Sequence, residues 1–215
     1  MSRFLPILLL IIAIGCKKDE PIPIKGVLFD GLFTGPKVTD YFPSAPGSYW
    51  VYQRYNVDTN GNTTAIGSTD TVTVLKDTVV AGEIFTIYDH SKYSSNDLYR
   101  DSGDYIIDTN GTIHFSSTNY QDVLDQWVLG PLEMKYKMSD SALVVSVPAG
   151  TFETFNFKGT FTREPAWQCG KTVCYFDNQY ALGVGKIRWS GYYTSPGPCI
   201  SHLEDWLIAY YIAPE

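Results

Sequence analysis

Side chains able to do acid–base, metal or nucleophilic chemistry are numerous in this 215-residue chain, but they are scattered along it. The three histidines, His90, His114 and His202, lie far apart and form no zinc spacing such as His-Glu-x-x-His. His202 with Glu204 and Asp205 could contribute ligands to a site, although a polar loop before the last strand is the plainer account. Asp58-Thr59-Asn60-Gly61-Asn62 imitates the start of a calcium loop, yet its glycine is misplaced and Thr69 stands where a bidentate glutamate is required. Turn chemistry explains those residues as well. No metal and no cofactor is therefore expected. There is no Gly-x-Ser-x-Gly elbow, no Ser-x-x-Lys pair and no phosphate-cradling glycine loop, so nucleophilic hydrolysis has no support in the sequence and no catalytic residue is assigned. A general acid and base could still be brought together by folding, which spacing along the chain does not exclude. Cys169 and Cys174 flank a turn-sized gap, so their Cα atoms could come within the ~4.4–6.8 Å that a disulfide requires. Cys174 with Cys199 is the competing pair, and either choice leaves one thiol over.

The elements that must position these groups read as β-strands. In Tyr49 to Val57, Tyr49, Val51, Tyr55 and Val57 share one face while Arg54, Asn56 and Asp58 share the other, the period of two that marks a half-buried strand. Phe155, Phe157 and Phe161 alternate with Thr154, Asn156, Lys158, Thr160 and Thr162, and Gly159 on the apolar face suggests a bulge or bend. Further segments rich in Val, Ile, Thr, Phe and Tyr are Thr71 to Leu75, Ile84 to Tyr88, Asp104 to Asp108, Thr112 to Ser116, Ala142 to Val147, Val173 to Phe176 and Gly185 to Ser190. Asp205 to Ala213 is almost wholly apolar and reads as a central or closing strand. Asn110-Gly111 favours a type I′ hairpin, and Asn60-Gly61 repeats that signal in what reads as a longer loop. Val123, Leu124, Trp127 and Val128 fit one short helix or a strand equally, because Gly130-Pro131 stops the segment quickly.

About ten short strands separated by turns predict an all-β domain, built as a curved antiparallel sheet or partly closed barrel with at most one or two short helices. A two-sheet sandwich is the alternative. Residues 41–215, about 175 of them, suffice for a single domain, and the Pro- and Gly-punctuated stretch before it reads as an extended tether.

The first fifteen residues hold Arg3 followed by an apolar run from Phe4 to Ile14. That run is too short to span ~30 Å of hydrocarbon and suits the apolar region of an export signal. Ala13-Ile14-Gly15-Cys16 resembles the lipobox of bacterial lipoproteins, with Ala13 departing from the more frequent Leu. The resemblance implies cleavage before Cys16 and acylation of its sulfur, dividing the chain into a signal peptide at 1–15, a lipidated terminus and tether at 16–40, and the β domain at 41–215. Lys17-Lys18-Asp19-Glu20 is similar to the charged signals of surface-exposed Bacteroidota lipoproteins, and equally suits a solvated tether. A lipid anchor in the outer membrane, with the domain surface-exposed or facing the periplasm, is the expected location, and that oxidising setting would permit the cysteine bridge. Removing the signal leaves 15 basic and 23 acidic residues, a charge of −8 that makes nucleic acid an unfavourable partner.

Tyr41-Phe42-Pro43 and Gly47-Ser48-Tyr49-Trp50-Val51-Tyr52, with Val147 to Phe152 and Gly183-Val184-Gly185, resemble the motifs of a group of uncharacterised Bacteroidota lipoproteins. That resemblance implies a curved antiparallel sheet shaped like lipoprotein-carrier half-barrels, and it brings no catalytic residues. Asp70-Thr71-Val72, Asp77-Thr78-Val79 and Asp140-Ser141-Ala142 resemble the short O-glycosylation sequence of exported Bacteroidota proteins. Five Trp and sixteen Tyr could serve carbohydrate stacking or an apolar cleft, or ordinary cross-strand packing. The expected function is binding of an envelope component, a glycan or an apolar ligand by a non-catalytic domain, with an envelope hydrolase as the alternative. A cleft lined by aromatics would favour the first, and carboxylates converging on a histidine or a metal the second.

Overall fold

The computed structural model describes residues 36–58, 60–130, 132–139, 142–163, 173–192 and 202–214. Cys16, Cys169, Cys199, Ser141 and the signal-like segment lie outside them, and so do the expectations placed on those residues. Among the described residues alternating side chains and frequent turns produce fifteen strands: β1 Tyr49–Val57, β2 Thr63–Ala65, β3 Asp70–Val80, β4 Glu83–His90, β5 Asp97–Ser102, β6 Tyr105–Asp108, β7 Ile113–Ser116, β8 Asp125–Leu129, β9 Leu132–Met138, β10 Leu143–Val147, β11 Gly150–Arg163, β12 Val173–Phe176, β13 Asn178–Ala181, β14 Gly185–Tyr192 and β15 His202–Tyr211. A 3-10 turn over Val38–Tyr41 precedes them.

Every pairing is antiparallel, and the sheet runs β7-β6-β5-β4-β3-β1-β15-β14-β13-β11-β9-β8, bending into a nearly closed barrel as expected. β15, the apolar C-terminal run, lies between β1 and β14 and is a central strand. β11 is the longest strand because it has two successive partners on each side. Its first half pairs with β10 and β13, its second with β9 and β12. The break between β12 and β13 falls at Asp177, whose carboxylate accepts from Asn156 Nδ2 at 2.6 Å while Asn156 Oδ1 accepts from the Asn178 amide. The buried Asn156 is thereby satisfied.

Several local expectations are corrected. In the first half of β1 it is Trp50 and Tyr52 that are buried, whereas Tyr49 is exposed, so there the core takes the opposite face from the one the apolar spacing marked; past the irregularity between Val51 and Tyr52, Val57 of the marked face is buried. Aromatic residues occupy both faces there, so alternation alone could not choose between them. Gly159 makes no bulge: β11 keeps continuous register with β9 through it, and its missing Cβ admits the Tyr136 ring, whose Cε1 would lie 2.7 Å from that atom. Of the short helix and the strand that fitted Val123 to Val128 equally, the structure has the strand, over residues 125–129. Asn110-Gly111 does close the β6–β7 hairpin, but only Gly111 takes a positive φ, as in a type I turn with a following left-handed glycine. The β1–β2 connection shows the same pattern of bonds around Asp58, Asn60, Gly61 and Asn62, and at five residues against four it is the longer of the two, as expected. Among the described residues a turn with two successive positive φ values occurs at Ala81-Gly82, between β3 and β4.

Among the described residues two large apolar clusters fill the interior, one around Trp50, Tyr88, Ile187 and Leu207, the other around Tyr41, Phe115 and Tyr180, and a small third joins Met134 and Phe161. Val38 is 1% exposed and belongs to the second, so packing begins upstream of Tyr41 and includes residues assigned to the tether. Phe42 packs against both large clusters and joins them.

Candidate functional site

The segment after the 3-10 turn lies across the inner face of the sheet and walls a cleft of about 260 Å³ against it. Phe42 and Pro43 form that wall, held by the Tyr88 hydroxyl donating to the Pro43 carbonyl at 3.1 Å and by the Gly183 amide donating to the Asp40 carbonyl at 2.7 Å. Trp50 Nε1 donates to the Val184 carbonyl at 2.6 Å, and the Gly185 Cα approaches Pro43 and the Trp50 indole so closely that a side chain there would touch both. The Tyr-Phe-Pro, Tyr-Trp-Val-Tyr and Gly-Val-Gly segments thus meet at one place and shape its apolar wall. Phe42, Tyr88 and Tyr99 pack edge to face in a mutual trio with centroids 5.2–5.6 Å apart, and Tyr52 meets Trp189 edge-on at 4.6 Å. Such geometry places ring edges against ring faces and fixes the wall.

Polar groups enter the same cleft from β1, β4, β5 and β14. His90 lies between two carboxylates, with Nδ1 2.8 Å from Asp70 Oδ2 and Nε2 3.2 Å from Asp97 Oδ2. Tyr99 donates to that same Asp97 oxygen at 3.1 Å. Arg54 grips Asp205 with two nitrogens, at 2.8 and 3.0 Å, and donates to the Tyr93 hydroxyl at 3.2 Å. Lys186 projects beside the rings of Tyr180 and Trp189, 5.3 and 5.5 Å from their centroids. His114 stands behind Tyr99, with ring centroids 4.8 Å apart and Nε2 3.3 Å from Asp108.

These surroundings push the titrating groups apart. Hydrogen bonding to Asp97, opposed by burial and helped by Asp70, raises the His90 pKa, and the same bond lowers that of Asp97. Burial lowers the His114 pKa, helped by the nearby Lys186 charge. Desolvation raises the tyrosine hydroxyls Tyr52, Tyr88 and Tyr99, which remain protonated at neutral pH.

His202, Glu204 and Asp205 do not lie in a loop and do not converge as a trio: they belong to β15, where successive residues point to opposite faces, so His202 meets Glu204 while Asp205 points away from both. Asp205 turns to the cleft and Arg54, whereas Glu204 turns to the other face, where Arg188 at 2.7 Å and His202 at 2.8 Å hold it. Although burial opposes ionisation of Glu204, the bonds from His202 and Arg188 prevail and lower its pKa to about 2. Among the described residues no group of three or more His, Cys, Asp or Glu side chains is placed to hold a metal ion. Asp58 of the calcium-like loop is occupied by Asn60 and Asn62. Thr71 lies in β3 between the buried Asp70 and Val72, and Thr78 lies in the same strand.

The pH dependence of stability follows from these directions. A histidine with a raised folded-state pKa stabilises the fold fully below the unfolded value of ~6.5, and loses that contribution as pH rises through the folded value. His90 is therefore expected to make the urea midpoint fall from about pH 6.5 upward. Glu204 acts on the acid side: its contribution is present above its ordinary value and is lost as pH falls toward about 2. Urea titrations of the wild type and His90→Gln across this range check the first effect; an alkaline slope that survives the substitution would assign it elsewhere.

His90 and the aromatic wall were visible as residues, but their convergence was not. β5, which carries Asp97 and Tyr99, was missed because its Leu-Tyr-Arg-Asp-Ser sequence has no clean apolar alternation. Lys186 carried no signal at all.

No protein-family model matches the chain. No curated protein matches it in sequence. Two solved structures are similar to it at 14% identity. One, from Bacteroides fragilis, is assigned as an exported protein with a YmcC-like fold; the match covers 79% of this chain and 98% of that one, with a TM-score of 0.49. The other, from Parabacteroides distasonis, is assigned as a lipoprotein; the match covers 80% of this chain and 98% of that one, with a TM-score of 0.40.

Proposed function

We propose that this is an envelope lipoprotein, acylated at Cys16 and anchored in the outer membrane, whose β domain binds a glycan unit in the aromatic cleft without transforming it. One observation carries the binding reading: ring faces and polar groups share a single small space. At about 260 Å³ the cleft falls just below the ~300–1,000 Å³ of drug-sized ligand sites and suits one or two sugar rings. A wholly apolar ligand would strip water from Lys186 and Asp97 without replacing their hydrogen bonds, at a cost of about 1–3 kcal/mol for each group. A sugar offers apolar ring faces to Trp189 and Tyr52 and hydroxyls to the polar side.

The Asp70–His90–Asp97 chain is what a hydrolase would bring to the same place, and it favours a second reading. Its hydrogen bonding speaks for binding, because both imidazole nitrogens are engaged by carboxylates and neither faces a substrate proton. Asp97, with its lowered pKa, is a weak base at neutral pH.

The test exposes the full mature chain to panels of envelope glycans, lipids and chromogenic ester, glycoside and peptide substrates. Saturable glycan binding that weakens at least about tenfold in Trp189→Ala is expected, from the loss of about 1.4 kcal/mol or more of stacking. Turnover abolished by Asp97→Asn or His90→Gln would overturn the binding reading. For the anchor, Cys16→Ser is expected to lose fatty-acid labelling and leave the membrane fraction, and unchanged labelling would remove that part of the proposal.

A further inference from the structure

Three cationic side chains line the cleft, and two of them bring their own counter-charges. Arg54 is closed by two nitrogens on Asp205, and His90 by Asp70 and Asp97. Among the described residues Lys186 has no carboxylate within ion-pair distance; its ammonium lies beside the rings of Tyr180 and Trp189, near enough to Asp97 and His114 for its charge to be felt but not in contact with either carboxylate or imidazole. Its backbone is pinned, since its carbonyl accepts the Tyr52 hydroxyl at 2.7 Å and the strand pairs it with Tyr180. An ammonium beside aromatic rings has lost part of its water, and a charged hydrogen-bond partner would restore what it lost. Asp97 is arranged as the complement: Oδ2 takes both His90 and Tyr99, while Oδ1 makes no hydrogen bond to a described residue, on a side chain 48% exposed.

Building on the glycan-binding reading, we infer that the ligand is an acidic saccharide, a sugar ring whose carboxylate pairs with Lys186 while a neighbouring hydroxyl donates to Asp97 Oδ1. Trp189 lies beside Lys186, so one ring stacked on the indole can place its carboxylate at the ammonium. The chain's overall negative charge opposes long polyanions, but it is screened beyond ~8 Å at physiological salt, and one carboxylate held at contact with Lys186 lies well inside that distance. Asp97 feels the Lys186 charge, and Asp108 lies one residue layer further off, behind Tyr99 and against His114. Asp97 is already covered on one oxygen by the His90 ring, and Asp108 by the backbone amides of Asn110 and Thr112.

Calorimetric titration of the mature chain with a glucuronate–N-acetylglucosamine disaccharide, its methyl ester and a hexose 6-phosphate tests the inference. The ester keeps the ring and removes the charge. The acid is expected to bind at least about tenfold more tightly than the ester, with the preference shrinking as salt rises. Lys186→Met should abolish the preference and Lys186→Arg retain it, both with unchanged near-ultraviolet circular dichroism. Equal binding of acid and ester would overturn the acidic assignment while leaving the glycan cleft standing. A preference that survives Lys186→Met would overturn the role of Lys186, and tighter binding of the phosphate would replace carboxylate by phosphate. If neither disaccharide binds, the acidic assignment falls, and the wider glycan panel decides separately whether the cleft reading falls with it.

Discussion

Arg54→Met is expected to destabilise the domain by about 3 kcal/mol, because it removes the guanidinium but leaves the Asp205 carboxylate buried. The two residues sit directly opposite each other in the β1–β15 register, and the Asp205 side chain is only 8% exposed. Stripping the partner from a buried ion pair costs ~3–5 kcal/mol, and the partial exposure of Arg54 places this case at the lower end. Replacing both, as Arg54→Met with Asp205→Leu, is expected to recover most of the loss, since an apolar pair of similar volume avoids the desolvation of two charges. Urea unfolding of the two single variants and the double variant measures this. A single variant within about 1 kcal/mol of wild type would show that water reaches Asp205 and that the pair does not hold β1 against β15.

Tyr41→Ala should cost a similar amount, about 3 kcal/mol, by emptying a ring-sized space between Phe115 and Phe155, whose centroids lie 5.0 and 5.8 Å from that of Tyr41. In a domain of this size such a loss lowers the melting temperature by about 6–12 °C. Its consequence for the site is larger than for an ordinary core position, because Tyr41 fixes the segment that carries Phe42 and Pro43 over the cleft. Hydrogen exchange provides the specific check: the Gly183 amide, bonded to the Asp40 carbonyl, should lose protection before the β1–β15 ladder does. Uniform loss across both would mean that the segment is not a separable wall. Thermal stability within a degree or two of wild type would mean that Tyr41 is not a core anchor.

Much of the sheet was legible from local pattern. β1 and β12 are found where the alternation of residue types put them, and β15 could be recognised as central because its apolar run has no polar face to give to water. β9 shows the same rule missed, since Leu132, Met134, Tyr136 and Met138 alternate with Glu133, Lys135 and Lys137 yet were not read as a strand. Where aromatic residues occupy both faces of a strand, the pattern stops informing. Trp50 and Tyr52 lie inside while Tyr49 lies outside, and a period of two is the same whichever face is turned inward.

The sequence by itself determined the all-β class and many strand positions, because period, propensity and turn residues act over a few neighbours along the chain. It also carried the aromatic wall in outline, since Phe42, Trp50, Tyr52 and Gly185 all fall in segments that stood out before folding. Only the tertiary structure decided that His90 would find Asp70 and Asp97, that Arg54 would find Asp205 across 151 positions, and that Lys186 would be left beside two rings without a carboxylate. Those relations depend on strand register and on the closing curvature of the sheet. Both are set by the packing of side chains far apart in the chain, and charge and pKa follow from distance and burial, not from order along the sequence.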